Sequence, residues 1–222
     1  MTAFDPYSLL ARVTAASVVD AMGRTFRQRA HILDLVTPTP GRELFGPALT
    51  ISFLPYREDL YDPKHNFGSL FYRTIEGSPR RKVLVIAANG YPDISIGGAT
   101  KLSRLQNHGM AGILTDGRIR DFDQLRKFDF VAYCRGEAVR WGGDTIMPFL
   151  ANVPVSLGGA TVVPGDYVYA DHSGAVVVPA SVLRPVLEEA VGIEEADARS
   201  IERLQSEDPG HVIEEGGSEE RY

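Results

Sequence analysis

Hydrophobic positions along this chain switch between helical and strand spacing often enough to sketch most of its elements. Leu9, Leu10, Val13, Ala16, Val19 and Met22 recur at three- and four-residue intervals, which predicts an amphipathic helix over residues 7–22. Asp5 or Thr14 supplies a start signal for it and Gly23 a stop. Residues 48–53 alternate and are rich in β-formers, so they read as a strand. The following stretch, 57–78, mixes aromatics and charges without one period and reads as a long, partly helical excursion.

A clearer unit comes next. Residues 82–88 form a continuous apolar run of strand length, 99–107 carry a helical pattern closed by Gly109, and 111–115 are strand-like again. This is a βαβ unit. Further strands are predicted at 130–133, 154–157, 167–170 and 175–178, with Pro164-Gly165-Asp166 and His172-Ser173-Gly174 as turns. Residues 182–204 read as a charged amphipathic helix, and 206–222 as an acidic, mobile tail.

Composition narrows the class. The 222 residues are 44% hydrophobic and 23% charged, the balance of a globular protein, and suffice for one core. The expected organisation is a single domain over residues 1–205. The start of the chain lacks a signal-peptide layout and no apolar run approaches the roughly 20 residues of a membrane span, so no membrane role and a cytoplasmic location are expected. A net charge of −6 with scattered basic residues argues against nucleic acid as a partner. Cys134 is the sole cysteine, which excludes an intrachain disulfide and a cysteine-built zinc cage. It follows a strand without an adjacent base and reads as an inert thiol.

Candidate chemistry gathers between Gly98 and Asp121. Parallel strands joined by a right-handed crossover end on the same side, so the loops after Ala88 and Thr115 must share one crevice. The first loop closes in Gly97-Gly98, where the amides of a helix start are bare and suited to a small carboxylate. The second is Asp116-Gly117-Arg118-Ile119-Arg120-Asp121, which places a guanidinium able to grip a carboxylate beside an acid able to hold a hard cation. A plain turn with a surface ion pair between Arg120 and Asp121 is the competing reading of this local pattern.

The wider sequence resembles the RraA-like family, which includes 4-hydroxy-4-methyl-2-oxoglutarate aldolases with oxaloacetate decarboxylase activity, ribonuclease E regulators, and proteins once misannotated as menaquinone methyltransferases. The likeness runs through 14–21, Gly46-Pro47-Ala48-Leu49-Thr50, His108-Gly109-Met110-Ala111-Gly112 with the charged loop, and 164–171 into 174–179, and covers roughly residues 8 to 204. It implies an α/β fold of the swivelling β/β/α kind, an αββα sandwich with a βαβ active-site unit. It implies further that Asp121 contacts a divalent metal, and that Arg120 with the backbone around Gly98, Ala99, Thr100 and Lys101 holds the carboxylate of a pyruvate-like 2-oxo acid. One carboxylate with a mainly water and substrate shell suits Mg²⁺ or Mn²⁺. The implied function is a metal-dependent carbon–carbon lyase working by retro-aldol cleavage or decarboxylation, in a homotrimer or hexamer.

One position departs from the pattern: Ala99 follows Gly98 where the aldolases usually carry Asp or Glu. This bears on aldol cleavage more than on decarboxylation, which needs no base for a hydroxyl proton. Glu194, Glu195 and Asp197 are candidates to complete a neighbouring subunit's site. Asp171 and His172 are read mainly as turn residues, and Trp141-Gly142-Gly143 as a packed loop anchor; His65, in the excursion with Tyr61, Asn66 and Tyr72, has two readings, a solvated loop histidine first and a substrate-pocket wall second. Two other readings remain open: a non-catalytic regulator that binds a protein such as a ribonuclease, and an enzyme of the same scaffold with a shifted substrate.

Overall fold

The computed structural model describes residues 4–208 apart from 92, together with 210. Most of the acidic tail expected at 206–222 lies outside the described residues.

The N-terminal helix is shorter and more broken than its periodicity suggests. Two 3-10 turns, Pro6–Ser8 and Leu10–Arg12, precede α1 (Ala15–Thr25), so the expected helix over 7–22 is interrupted at Val13. Thr14 is the reason: its hydroxyl accepts the Ser17 amide at 3.2 Å while the Ser17 hydroxyl accepts the Thr14 amide at 3.0 Å, a capping box that fixes a new start. Asp5 caps the first 3-10 turn by accepting the Tyr7 amide at 3.1 Å, so both proposed start signals operate, on different elements. The helix runs two residues past Gly23, which faces open space and costs it only helical propensity.

The strands follow as β1 (His31–Ile32), β2 (Leu44–Pro55), β3 (Val83–Ala87), β4 (Gly112–Thr115), β5 (Val131–Tyr133), β6 (Ile146–Ala151), β7 (Val155–Leu157), β8 (Ala160–Val162), β9 (Tyr167–Asp171) and β10 (Gly174–Val178). β1, β6 and β8 were not expected. β1 and β8 are two and three residues long, too short to show a period, and β6 contains Pro148 and half-exposed positions that mask its alternation. The helices after α1 are α2 (Phe67–Thr74) within the excursion, α3 (Ala99–Asn107), the single turn α4 (Phe122–Leu125) and α5 (Leu183–Gln205).

β2 is the hinge of the architecture. Its first part pairs antiparallel with β9, and its second part pairs parallel with β3 and antiparallel with β6, giving the order β1-β10-β9-β2-β3-β4-β5 with β6 also on β2. The two halves stack face to face: Val83, Val85 and Leu114 meet Val168, Ala170 and Val177 in one buried cluster. The outer face of β3 and β4 (Leu84, Ile86, Ile113) is covered by α2 and α3 through Phe67, Leu70, Phe71, Leu102 and Leu105. The outer face of β9 and β10 (Tyr169, Val176, Val178) is covered by α1 and α5. Helix, sheet, sheet, helix is the four-layer sandwich expected. Each fully buried Leu, Ile or Phe contributes about 1.5–3 kcal/mol by leaving water, so three clusters of this kind hold the layers together.

The βαβ unit is β3, α3, β4, with α3 at its expected bounds. β3 and β4 are parallel neighbours from Val83↔Gly112 to Ile86↔Thr115, so the loops that leave their C-terminal ends emerge side by side.

Candidate active site

Three chain segments are stitched together at that end of the sheet. Ser95 bridges in parallel to both Arg118 and Trp141. The amide of Ser95 donates to Arg140 O at 3.0 Å, that of Ile96 to Arg118 O at 3.0 Å and that of Arg120 to Gly97 O at 3.0 Å. The Asp116 carboxylate accepts the Ala88 amide at 2.7 Å and ties the two loops at their base. Burial pushes the Asp116 carboxyl up from its ordinary range, against that amide, which favours the ionised form. The crevice expected from topology therefore exists.

Asp121 occupies its centre in an uncommon backbone conformation, with φ 67° and ψ 41°, at the start of α4. A non-glycine residue held in this left-handed region costs about 1–3 kcal/mol, and such outliers gather at functional sites. Its Oδ2 accepts the Ala99 amide at 3.0 Å and lies 4.0 Å from Arg120 Nε. Its other oxygen has no hydrogen-bond partner among the described residues, and the side chain is 38% exposed. Gly98 makes this approach possible: a Cβ there would stand 2.3 Å from Asp121 Oδ2 and 2.7 Å from Arg120 Cγ.

The helix start is thus already partly occupied. Ala99 gives its amide to Asp121 and buries its methyl in the core beneath α3, so neither group is free for a ligand, which narrows the part expected of residue 99. The amides of Thr100 and Lys101 make no hydrogen bond among the described residues and sit at the positive end of the helix. Lys101 is half-buried, and burial first, then Arg120 and Arg104, push its ammonium below the usual lysine range. Together Gly98, Thr100, Lys101, Arg120 and Asp121 line a small pocket of 60 Å³ that Ser95 and Trp141 help to close. Of the site residues singled out from the loops, Gly98, Thr100, Lys101, Arg120 and Asp121 meet here and Ala99 does not.

A larger cavity of 420 Å³ adjoins it, sharing Ser95, Lys101 and Trp141 and walled by Tyr56, Tyr61 and Phe67. The second reading of the 57–78 excursion, a substrate-pocket wall, foresaw it in part. Tyr61 and Asn66 line it, whereas His65 and Tyr72 do not. Trp141 is no packed anchor: the residue is 59% exposed, and its indole lies across Gly143, where a Cβ would come within 1.9 Å of it. Two glycines after a tryptophan were the available signal.

The other candidates have structural employment. Asp171 is buried, accepting the Ala15 amide at 2.8 Å and both the Ser173 amide at 2.8 Å and hydroxyl at 2.6 Å. Burial raises its carboxyl, but the donors from Ala15 and Ser173 together outweigh this and leave it below the ordinary range. Cys134 is buried, and burial pushes its thiol up to about 11, as expected of an inert thiol. Glu194 and Glu195 hold Thr14 and Arg12 at 2.7 and 2.6 Å, and neither they nor Asp197 line this crevice within the chain. Among the described residues no helix is long and apolar enough to cross a membrane.

Among the described residues no three His, Cys, Asp or Glu side chains converge as a metal cage. One exposed carboxylate oxygen beside a guanidinium suits a hard, mostly hydrated cation such as Mg²⁺ or Mn²⁺, and does not suit zinc.

The model of the family described as Aldolase/RraA matches residues 15–177. The chain belongs to the RraA-like family. RraA-like relatives carry different names. A Halalkalibacterium halodurans protein named "Putative 4-hydroxy-4-methyl-2-oxoglutarate aldolase" is 34% identical over 132 residues, which are 60% of this chain and 61% of that one. Protein DlpA of Legionella pneumophila is 27% identical over 168 residues, 76% of this chain but only 26% of its own length. The matched regions therefore fall short of two thirds of both these relatives. The crystal structure of Streptomyces coelicolor RraAS2, described as an unusual member of the RNase ES inhibitor RraA protein family, superposes with a TM-score of 0.76 at 29% identity, over 88% of this chain and 94% of that one.

Proposed function

We propose that this RraA-like protein is a divalent-metal-dependent lyase that releases pyruvate from a 2-oxo acid, by retro-aldol cleavage or by decarboxylation of an oxaloacetate-type substrate. The observation that carries the reading is the convergence of the Asp121 carboxylate, the Arg120 guanidinium and the free amides of Thr100 and Lys101 on one small pocket. Relatives named as aldolases support it.

The chemistry needs charge stabilisation where an enolate oxygen develops. Arg120 is positioned to grip the substrate carboxylate, with the α3 amides as further donors and Lys101 as a second cation. Asp121 is the residue that would hold Mg²⁺ or Mn²⁺, which when bound supplies Lewis-acid stabilisation of that oxygen. The Ala99 amide and the Gly98 backbone fix the Asp121 carboxylate in place. Because the Ala99 methyl is turned into the core, this chain offers no acid at that position to accept a hydroxyl proton, and decarboxylation is the less demanding reaction. The family resemblance further supports assembly as a trimer or hexamer in the cytoplasm.

The test is pyruvate release from oxaloacetate by metal-stripped protein. Activity that returns on adding Mg²⁺ or Mn²⁺ and vanishes with chelator is expected; release indifferent to both overturns the proposal.

The similarity to RraAS2 favours a second reading, a regulator that binds a ribonuclease or similar protein without catalysis. That reading predicts inhibition of a ribonuclease by the variant Asp121→Ala as strong as by the wild type.

A further inference from the structure

We propose that the 420 Å³ cavity beside the Arg120 and Asp121 pocket receives an aromatic substituent on the substrate, making the preferred ligand an aryl-bearing 2-oxo acid. This deepens the lyase reading and rests on that pocket's being the 2-oxo acid site.

Continuity is the first support. Ser95, Lys101 and Trp141 line both spaces, so a ligand whose carboxylate sits near Arg120 extends directly into the larger one. Its volume falls within the range of small-molecule sites, about 300–1,000 Å³.

The walls supply the second. Tyr56, Tyr61, Phe67 and Trp141 present rings to the cavity. Tyr56 and Tyr61 stand with centroids 5.5 Å apart and tilted by 46°, and with Trp141 they are 37%, 44% and 59% exposed. Large apolar side chains held open around a concavity mark a binding surface, and rings at this spacing accept another ring edge-to-face or offset. Gly143 contributes by leaving room for the Trp141 indole to lie over the loop.

Charge sets the orientation. Lys101 and Arg104 also line the cavity, and neither has an ion-pair partner among the described residues. Lys101 Nζ lies 5.6 Å from the Phe67 ring centroid, so cationic and aromatic surfaces meet at one wall. An acid with a flat apolar tail matches that combination, whereas a small polar acid leaves the rings in water.

In the cleavage of a 4-hydroxy-4-aryl-2-oxo acid, the C3–C4 bond breaks and its electron pair stays on C3 as pyruvate enolate. With no acid at residue 99, the hydroxyl proton passes to a solvent water, the C4–OH becomes the carbonyl of an aryl aldehyde or ketone, and C3 takes its proton back from solvent. The aryl group would remain in the cavity throughout.

Trp141, the sole tryptophan, lines both spaces and reports binding without turnover. Its fluorescence is to be titrated with pyruvate and with 4-phenyl-2-oxobutanoate in the presence of Mg²⁺. A Kd at least tenfold lower for the phenyl acid is expected, falling to less than a threefold preference in the double variant Tyr56→Ala and Tyr61→Ala and surviving in Tyr61→Phe. Equal affinities in the wild type, or a preference unchanged in the double variant, overturn the inference. Oxaloacetate turnover by the same preparation separates the two ideas: turnover without aryl preference sinks only the subsite, and aryl preference with no metal-dependent turnover sinks the lyase.

Discussion

Gly98 and Asp121 are packed so closely that a single methyl on residue 98 would stand 2.3 Å from the Asp121 carboxylate. The backbone of Gly98 is extended, at φ −141°, so glycine is required here by proximity and not by conformation.

Gly98→Ala should therefore displace the carboxylate without unfolding the sandwich. A displacement of about 1 Å costs on the order of 100-fold in rate. We expect kcat/KM for pyruvate release to fall by about that factor, with the far-ultraviolet circular dichroism unchanged. Wild-type kinetics in this variant would remove the argument that Asp121 must sit where it does.

Arg120→Lys keeps the charge but loses the planar fork. Carboxylate recognition by two parallel N–H groups then becomes a point contact, and KM for the 2-oxo acid should rise about tenfold with kcat less affected. Steady-state kinetics decides this, and a fall in kcat at constant KM would assign Arg120 to the transition state alone.

Lys101 gives a pH signature. Its ammonium is depressed by burial, by Arg120 and by Arg104, so it loses its proton, and with it the attraction for an anion, below the usual lysine value of about 10.4. On raising pH, kcat/KM should decline early, and a bound carboxylate should shift the corresponding limb of kcat upward. Lys101→Met should abolish the limb; a limb that persists unchanged belongs to another group.

The fold was legible where periods were long and the site where charges and glycines fell in adjacent loops. Residues 99–107 announced α3, and two parallel strands were enough to bring Gly98 and Asp121 together. What the pattern could not carry was local geometry. The left-handed backbone of Asp121, the loss of the Ala99 amide to it and the inward turn of the Ala99 methyl depend on one close approach across 22 residues. The aromatic cavity was legible only in part: the excursion offered Tyr61 and Asn66 as pocket residues, but Tyr56, Phe67 and Trp141 lie far apart along the chain and meet only in the folded structure.

Asp171 was read mainly as a turn residue, and its three donors bear that out. Asp171→Ala should uncap Ser173 and the Ala15 amide at a cost of about 1–2 kcal/mol, lowering Tm by about 2–8 °C without altering KM. The folded carboxyl titrates below its unfolded value of about 3.9, so its contribution is complete above that pH and is lost as pH falls through the folded value. Thermal melts between neutral and strongly acidic pH should therefore converge for wild type and variant at the acid end. A gap that stays constant would place the effect in packing.

The central claim is that Asp121, Arg120 and the start of α3 form one metal and 2-oxo acid site. Crystals soaked with Mn²⁺ and oxalate test it most directly. An anomalous peak in coordination contact with the Asp121 carboxylate, with oxalate between it and the Arg120 guanidinium, is the expected result. Manganese bound elsewhere, or oxalate absent from this crevice at saturating concentration, would contradict the account.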